Sequence, residues 1–328
     1  MTPAENSRVG ADSCQHPPDL TEDRTDMDVA LLVNPAARAG ARTDAAETVA
    51  RRLRAAGVRV AVISGGSAAD SSSLLRTALD AGTDAVLVAG GDGTVNLALQ
   101  ELAGTAVPLG IIPVGTGNDL ATALDVHGQH ADATVDAVLA RRTRPIDLAR
   151  VTRSDGGTRL FGTVLASGFD SKVNDRANAM RWPRGHVRYD IAVLIEFLRL
   201  RDLPFRVTLE HPDGTSETID EPLVMVSVGN TRTYGGGIPI CPDAVLDDGL
   251  LDVTLVRPAG RLRLLRLLPR VYKGTHLSVP EVRSRRVRTV TIEATGLTAY
   301  ADGDPLGALP LRIDAVPAAV TVFSPSPE

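Results

Sequence analysis

The sequence predicts two successive units, an α/β domain with a parallel sheet and a β-rich domain that follows it. Up to about residue 145, short apolar strands alternate with amphipathic helices, which is typical of an open parallel sheet. Beyond Pro145, strands alternate with hairpin signals such as the turn sequence of Ser154–Gly157. The 328 residues are enough for two domains of ordinary size.

The apolar pattern also predicts where the elements begin and end. Strands are predicted at 28–33, 58–63, 84–89 and 108–112, and helices at 43–56, 68–81, 94–103, 118–124 and 131–141. In the second unit, helices are predicted at 187–200 and 262–272, and a strand at 223–228. Because parallel strands end at one edge of their sheet, the loops that follow the first four strands should line one crevice.

The first 26 residues differ in composition from the rest of the chain. They hold six acidic residues and two arginines, and so account for −4 of the formal net charge of −5. Their Pro, Ser, Asp and Thr content buries too little apolar surface to offset the entropy of ordering. We therefore expect residues 1–26 to be a disordered tail.

Composition narrows the class of protein. The chain is 43% hydrophobic but only 3% aromatic, which suits a sheet of aliphatic strands covered by helices. Cys14 and Cys241 form no CxxC pair, so a reducing, cytoplasmic environment is expected, without a disulfide framework. No apolar run in the sequence approaches the roughly 18 residues that span a bilayer. The sequence has no P-loop, GxGxxG fingerprint, GxSxG elbow, HExxH or protein-kinase motif, and we expect no nucleic-acid partner.

The segment Val86–Asn96 carries the strongest chemical signal in the sequence. An apolar strand leads into a turn with Gly90, Gly91 and Gly93, and this turn also holds Asp92 and Thr94. Glycines let a polyanion approach the backbone N–H groups, and the amino end of the helix that follows favours negative charge. This loop therefore predicts a phosphate site, although Asp92 has the alternative role of a helix N-cap.

A second loop repeats this design downstream. The segment Pro108–Leu120 runs from an apolar strand through Gly115, Thr116 and Gly117 to Asn118, which is placed to cap a helix. The loops at 34–40 and 64–66 also follow predicted strands. For Gly65 and Gly66, an ordinary turn is as good an interpretation as a ligand site.

Five motifs together resemble one known family. The motifs occur in the order and with the spacing that this family has; they are Asn34-Pro35, Gly90–Thr94, Pro113–Asp119, Asp247–Leu250 and Ala301–Asp304. The chain is similar to the bacterial diacylglycerol kinases, soluble lipid kinases related to sphingosine and ceramide kinases in a superfamily that includes the NAD kinases. The resemblance implies a nucleotide-binding α/β domain of residues 27–147 plus 311–324 and a β-sandwich lipid-substrate domain of residues 148–310. The active site would lie in the interdomain cleft.

The resemblance also implies roles for individual residues. ATP would contact Asn34, Pro35, Ala36, Ser64, Gly90, Gly91, Asp92, Gly93, Thr94, Val95, Asn96, Leu97 and Thr116. Asp92 would position the phosphates and contact Mg²⁺, directly or through water. Asp304 would accept the proton of the substrate hydroxyl, at a position where the family has Glu. The missing methylene sets the carboxylate back by about 1.5 Å, and a displacement of that size can lower a rate about a hundredfold. The alternative is that Asp302 and Asp304 only shape a hairpin turn.

A second Mg²⁺ is implied in the carboxy-terminal domain. Related kinases bind it with one carboxylate and two main-chain carbonyls, and in this sequence Asp248 would act with the carbonyls of Val245 and Leu250. An Asp-Asp-Gly turn without metal would have the same sequence.

These observations favour an ATP- and Mg²⁺-dependent kinase for a membrane lipid, with diacylglycerol the first choice, located in the cytoplasm and peripherally at the inner membrane face. An NAD-kinase type of small-molecule kinase and a catalytically silent nucleotide-binding regulator are the alternatives.

The segment Arg181–Arg184 contains Trp182, either a membrane anchor or a buried cap of the sandwich. The ten Arg or Lys residues from Arg257 to Arg288 form either a solvated basic face or a region attracted to anionic lipid. The Leu/Arg helix at 262–272 has the same two interpretations, and a homodimer is also considered.

Overall fold

The computed structural model describes residues 27–34, 41–115, 117–126, 131–180, 182 and 186–324. The predicted tail, residues 1–26, therefore lies outside the described residues. None of the described helices is both long enough and apolar enough to cross a bilayer.

The amino-terminal part has the predicted βα alternation. Its strands are β1 (Asp28–Val33), β2 (Arg59–Ile63), β3 (Ala85–Gly90) and β4 (Leu109–Pro113). Its helices are α1 (Ala41–Ala55), α2 (Ala68–Asp80), α3 (Asp92–Leu102), α4 (Asp119–Ala123) and α5 (Ala131–Leu139). The four strands pair in parallel in the order β2-β1-β3-β4.

Successive residues of β1 point to opposite faces of this sheet, as the period of a strand requires. Ala30 and Leu32 lie in an apolar cluster with residues of α2 and α3, whereas Val29 and Leu31 pack with α1 and α5. Both faces of β1 are thus buried, which explains why its four central residues are all aliphatic.

The carboxy-terminal part is dominated by antiparallel strands. They are β5 (Thr143–Arg153), β6 (Thr158–Phe161), β7 (Val164–Gly168), β8 (Leu203–Glu210), β9 (Ser216–Leu223), β10 (Met225–Gly229), β11 (Leu251–Val256), β12 (Val282–Val287), β13 (Thr289–Glu293), β14 (Thr298–Ala301), β15 (Asp304–Ala308) and β16 (Leu311–Phe323). The helices are α6 (Phe169–Ala179), α7 (His186–Leu198) and α8 (Arg261–Tyr272), with a 3₁₀ turn at His276–Ser278.

These strands form two packed layers. One is a six-stranded sheet in the order β12-β11-β10-β7-β14-β15, and the other contains β16, β13, β8 and β9. Residues of both layers, such as Phe205 and Val226, belong to one buried apolar cluster. The predicted fold class, an α/β domain with a parallel sheet followed by a β-sandwich, is confirmed.

Strand β16 joins the two parts. Its first residues pair with β13, it pairs with β5 along most of its length, and Val322 pairs in parallel with Leu109 of β4. The parallel sheet therefore continues into the sandwich layer as one ten-stranded sheet. The residue boundaries of the two domains stay a prediction. The shared strand β16 connects the two parts through main-chain hydrogen bonds.

The prediction was wrong in three details of secondary structure. It placed the start of the third helix at residue 94, whereas α3 begins at Asp92 with Gly91 as its N-cap. It did not include α6. The strand predicted at 223–228 is divided between the end of β9 at Leu223 and β10.

Candidate active site

The two glycine-rich loops lie against each other at the carboxyl edge of the parallel sheet. A Cβ atom on Gly115 would lie 2.5 Å from the Cα atom of Gly91, so neither loop has room for a side chain at this contact. The N–H of Val114 donates a hydrogen bond of 3.1 Å to the carbonyl of Gly90. The glycines thus serve first to bring the two loops together.

Asp92 links the two loops through hydrogen bonds. Its Oδ2 accepts a 2.9 Å hydrogen bond from the N–H of Asn118, and its Oδ1 accepts a 2.7 Å bond from the N–H of Asp119. Gly117 must lack a side chain here, because a Cβ atom would lie 2.3 Å from Asp92 Oδ2. Asp92 is the first residue of α3 and not its N-cap, and its carboxylate stabilises the amino end of α4.

Strand β1 contributes a further contact to the first loop. The Asn34 amide donates a 3.1 Å hydrogen bond from Nδ2 to Thr94 Oγ1. A Cβ atom on Gly90 would lie 2.5 Å from Cβ of Thr94, so the glycine lets this hydroxyl approach the backbone of the strand. The ends of β1 and β3 are thereby held at one rim.

A cavity of about 700 Å³ opens at this rim. From the parallel-sheet part it is lined by Asn34, Ser67, Ala68, Ser71, Gly90, Gly91, Asp92, Gly93, Thr94, Leu97, Val114, Gly115 and Gly117. From the sandwich it is lined by Asp302, Gly303 and Asp304. The cavity therefore lies between the two parts of the molecule.

The sandwich side is a tight hairpin between β14 and β15. Asp302 and Gly303 both have positive φ, 51° and 84°, as the central residues of a type I′ turn require. Asp304 follows the turn, and its Oδ2 lies 2.7 Å from a guanidinium nitrogen of Arg159. The Asp304 side chain is 45% exposed, and among the described residues its Oδ1 has no hydrogen-bond partner.

Asp302 anchors this hairpin to the rest of the site. Its carboxylate accepts hydrogen bonds from the N–H of Gly162 (3.0 Å), the N–H of Thr163 (3.2 Å), the Thr163 hydroxyl and Nδ2 of Asn96 (2.6 Å). Burial raises the pKa of Asp302, and these hydrogen bonds oppose that shift. The buried Asn96 of α3 thus connects the first glycine loop to the hairpin that carries Asp304.

A third glycine-rich segment contacts the second loop. The N–H of Gly236 donates a 3.0 Å hydrogen bond to Oδ1 of Asp119, a buried carboxylate whose pKa is raised by burial and by the nearby Asp92. The Tyr234 hydroxyl donates a 2.5 Å hydrogen bond to Oδ2 of Asp170 on α6. Burial raises the pKa of Asp170 to about 6.

Comparison with known proteins identifies the family. Residues 28–151 match the family model described as diacylglycerol kinase catalytic domain, and residues 163–324 match the one described as YegS C-terminal NAD kinase beta sandwich-like domain. A Mycobacterium tuberculosis protein named diacylglycerol kinase is 50% identical over 297 residues, which cover 90% of this chain and 95% of the relative. The chain belongs to the bacterial diacylglycerol kinase family.

More distant members and solved structures agree with this assignment. A Stenotrophomonas maltophilia protein named probable lipid kinase YegS-like is 31% identical over 268 residues, covering 78% of this chain and 84% of the relative. The crystal structure of a diacylglycerol kinase from Bacillus anthracis superposes with a TM-score of 0.68, covering 92% of this chain and 98% of its own, at 22% identity. At that identity the likeness shows the shared fold alone.

The family's nucleotide-contact positions are only partly gathered at the cavity. Asn34, Gly90–Thr94 and Leu97 line it. Val95 and Asn96 are buried instead, and the Asn96 amide is bonded to Asp302. Pro35, Ala36 and Thr116 lie outside the described residues.

The Ser64 position differs from what the family pattern suggests. Ser64 does not line the cavity, and its hydroxyl is buried with no hydrogen-bond partner among the described residues. Ser67 and Ser71 line the cavity in its place, and the Ser67 hydroxyl accepts a 3.1 Å bond from the N–H of Asp70 as the N-cap of α2. Sequence reasoning missed these two serines, although a serine just before a predicted helix is a capping signal.

At the predicted second metal position, the Asp248 carboxylate is engaged by protein contacts, and the Mg²⁺ site stays a prediction. Asp248 forms an ion pair with Arg286, and its Oδ1 accepts a 3.0 Å hydrogen bond from the N–H of Leu250. The guanidinium already neutralises the only carboxylate of the expected ligand set, which also includes the carbonyls of Val245 and Leu250. Among the described residues, no cluster of three or more His, Cys, Asp or Glu side chains could hold a metal ion.

The segment agrees better with the alternative, a turn held by protein contacts. Gly249 has a φ of +73°, and its N–H donates a 2.5 Å hydrogen bond to Oδ2 of the buried Asp147. The other oxygen of Asp147 accepts a 2.8 Å bond from the N–H of Ala318 in β16. No chemical step is assigned to Asp248.

Proposed function

We propose that this kinase transfers the γ-phosphate of ATP to the hydroxyl of diacylglycerol and so forms phosphatidic acid. Family membership establishes the coarser statement, that the chain is a kinase of the diacylglycerol and YegS-like lipid kinase type. The observation that carries the finer proposal is that Asp304 and both glycine loops line the same cavity. A phosphate donor held by the loops would therefore face a carboxylate from the sandwich.

The phosphate side of the proposal is supported by the amino end of α3. Among the described residues, the N–H groups of Asp92 and Gly93 have no hydrogen-bond acceptor, and both residues line the cavity. Such groups, together with the positive end of the helix dipole, stabilise phosphate oxygens. In the proposal ATP also contacts Asn34, Pro35, Ala36, Thr94, Leu97 and Thr116, and the Ser64 contact passes to Ser67 or Ser71.

Asp92 acts in this proposal as a positioning residue. Both of its oxygens accept backbone N–H groups, so it sets the distance between the loops that hold the phosphates. Mg²⁺ that enters with ATP would neutralise charge on the transferred phosphoryl group, and Asp92 would contact it directly or through water. The role of Asp92 in positioning the two glycine-rich loops depends only on its hydrogen bonds to Asn118 and Asp119 and not on a metal ion.

On the acceptor side, Asp304 accepts a proton. Arg159 holds Oδ2, and the unpartnered Oδ1 is available to take the proton of the substrate hydroxyl. The hydroxyl oxygen then forms a bond to the γ-phosphorus while the bond from that phosphorus to the ADP oxygen breaks. The proposal includes peripheral association with the inner membrane face, where the lipid is found, whereas a homodimer stays a prediction.

Purified protein incubated with [γ-³²P]ATP, Mg²⁺ and mixed lipid vesicles tests the function. Label that migrates with phosphatidic acid on thin-layer chromatography is the expected result. Label in NADP when NAD is supplied would instead support the NAD-kinase alternative. Nucleotide binding without transfer to any acceptor would support the silent regulator, and either of these outcomes would overturn the proposal.

A further inference from the structure

Helix α8 carries apolar residues on two sides. Leu264 and Leu267 are buried against the sandwich, as expected for a surface helix. A second apolar stripe, spaced at roughly one residue per turn, is open to solvent. Its members are Leu262, Leu265, Leu268 and Tyr272, with exposed fractions of 72%, 50%, 43% and 66%. Isolated exposed apolar residues are common, but three leucines and a tyrosine on one helix face indicate a contact surface.

The same helix carries uncompensated positive charge. Arg263 forms a 2.5 Å ion pair with Glu281. Arg261, Arg266 and Arg270, in contrast, have no carboxylate partner in the described part of the chain. We call these three arginines and the four exposed apolar residues the α8 outer face. Its combination of an apolar stripe with unpaired arginines is typical of helices that lie in the plane of an anionic membrane surface.

The inner side of helix α8 shares an apolar cluster with a segment that reaches the cavity. Val271, near the end of α8, packs in one apolar cluster with Tyr234. Tyr234 begins the glycine-rich segment whose Gly236 N–H is bonded to Asp119. Asp119 in turn donates its backbone N–H to Asp92. The buried side of α8 is therefore linked, through the segment after Tyr234, to the second glycine-rich loop at the cavity.

Helix α7 adds apolar surface to the same region. Its Phe197, together with Leu200 just beyond it, packs in the cluster that contains Leu264 and Leu267. The helix also exposes Leu194 and Leu198 by 58% and 59%.

We propose that the α8 outer face docks the protein on an anionic lipid bilayer. The inference rests on the proposed function, since it supplies the surface on which a lipid acceptor would be reached. A second copy of the chain fits this face poorly, because a two-fold contact would place the unpaired arginines of both copies in one interface, and α8 has no acidic residue to neutralise them. An anionic bilayer satisfies both the leucines and the arginines.

Vesicle sedimentation without ATP tests docking separately from phosphoryl transfer. The full chain is mixed with vesicles of phosphatidylcholine alone or of phosphatidylcholine with phosphatidylglycerol, at low and high salt. We expect binding to the anionic vesicles that weakens as salt rises. The combined variant Leu262→Ser/Leu265→Ser/Leu268→Ser should lose at least about tenfold in binding, and Arg261→Gln/Arg266→Gln/Arg270→Gln should lose about fivefold for each charge removed. Leu74→Ser on α2, another exposed helical leucine, is the matched control and should bind like the parent.

The interpretation is fixed by three further measurements. Far-ultraviolet circular dichroism shows whether each variant is folded. If the triple-serine variant is unfolded, the triple-glutamine variant alone tests docking. Transfer to a short-chain, monomeric diacylglycerol should be equal in the parent and the α8 variants, whereas transfer to diacylglycerol in anionic vesicles should fall with binding.

Equal vesicle binding by the folded α8 variants and the parent would overturn the docking proposal and leave the kinase proposal intact. Loss of self-association in the variants, with unchanged vesicle binding, would assign the face to a second copy and overturn it as well. Docking through α8 without transfer to any lipid would instead contradict the proposed function alone.

Discussion

Asn96 donates a 2.6 Å hydrogen bond from Nδ2 to Oδ2 of Asp302, and this contact joins helix α3 to the hairpin that carries Asp304. The two residues are separated by 206 positions in the sequence. The first glycine-rich loop precedes Asn96 by less than one turn of α3, so the bond relates the loop side of the cavity to the side that carries Asp304. Its geometry is therefore a condition for the proposed transfer.

Removal of this bond should lower both stability and activity. The variant Asn96→Ala leaves a buried carboxylate with one donor fewer, which costs about 1 to 3 kcal/mol in the free energy of unfolding. Urea denaturation of Asn96→Ala, Asp302→Ala and the double variant measures the coupling. We expect an interaction energy of about 0.5 to 3 kcal/mol, and strict additivity of the two single effects would contradict the role given to this pair.

The rate of phosphoryl transfer should fall when the Asp304 carboxylate is removed, but not when its side chain is lengthened by one methylene. The variant Asp304→Ala should lower kcat by about 10² to 10⁴ if the residue accepts the hydroxyl proton. Asp304→Glu restores the family's side chain and should maintain or raise the rate. Steady-state assays with diacylglycerol check both, and Asp155→Asn, in the exposed turn where Asp155 pairs with Arg153, is the control. An unchanged rate in Asp304→Ala would remove Asp304 from the mechanism.

The contact between the glycine loops should not accept a methyl group. In Gly115→Ala, the new Cβ atom would lie 2.5 Å from Cα of Gly91, so the loops must separate. Overpacking of this kind costs about 1 to 3 kcal/mol in stability, and nucleotide affinity should fall with it. Gly260→Ala is the control, because its Cβ atom would meet nothing within 4 Å. Isothermal titration with a non-hydrolysable ATP analogue measures the affinity, and equal values for the two variants would argue against the loop contact.

Stability should decline as pH rises through the range in which Asp170 titrates. The pKa of Asp170 is raised from 3.8 to about 6, so the folded protein binds more protons than the unfolded chain between these values. Stability is therefore greater at the acid end of this range, and the shift corresponds to about 2 kcal/mol between pH 4.5 and pH 6.5.

The variant Asp170→Asn removes this contribution. Its stability relative to the parent should increase over the same interval in urea denaturation. Asp252, whose pKa burial also raises to about 6, is a matched comparison whose contribution should persist in Asp170→Asn and disappear in Asp252→Asn. A constant difference between Asp170→Asn and the parent across the interval would contradict the assignment to Asp170.

Local sequence patterns predicted the parallel sheet well because β1 to β4 are short, aliphatic and separated by periodic helices. The glycine loops were found for a related reason, since the order strand, glycine turn, helix is visible without knowledge of the fold. The sequence indicated a hairpin turn at Asp302 but not its anchoring role, because that role depends on donors from Asn96, Gly162 and Thr163, which only the folded chain brings together. Helix α6 was missed because its first turn follows a strand directly and its sequence is polar.

The choice between alternatives was also decided by tertiary contacts. The interpretation of Trp182 as a buried cap is wrong, since its side chain is 82% exposed. The carboxylate of Asp248 faces Arg286, a residue 38 positions away whose approach the Asp-Asp-Gly sequence does not reveal. In both cases the residue type allowed two environments, and for Asp248 the neighbouring side chain comes from the distant strand β12.

The continuity of β16 limits how the molecule can move. A hinge that moved the sandwich away from the parallel-sheet part would have to break main-chain hydrogen bonds to β4, β5 or β13. Rigid-body opening is therefore costly, and in the proposed function we expect the lipid acceptor to enter through rearrangement of surface segments such as the triple-glycine stretch after Tyr234. Turnover in this enzyme should accordingly depend on the dynamics of that stretch and not on a clamshell closure.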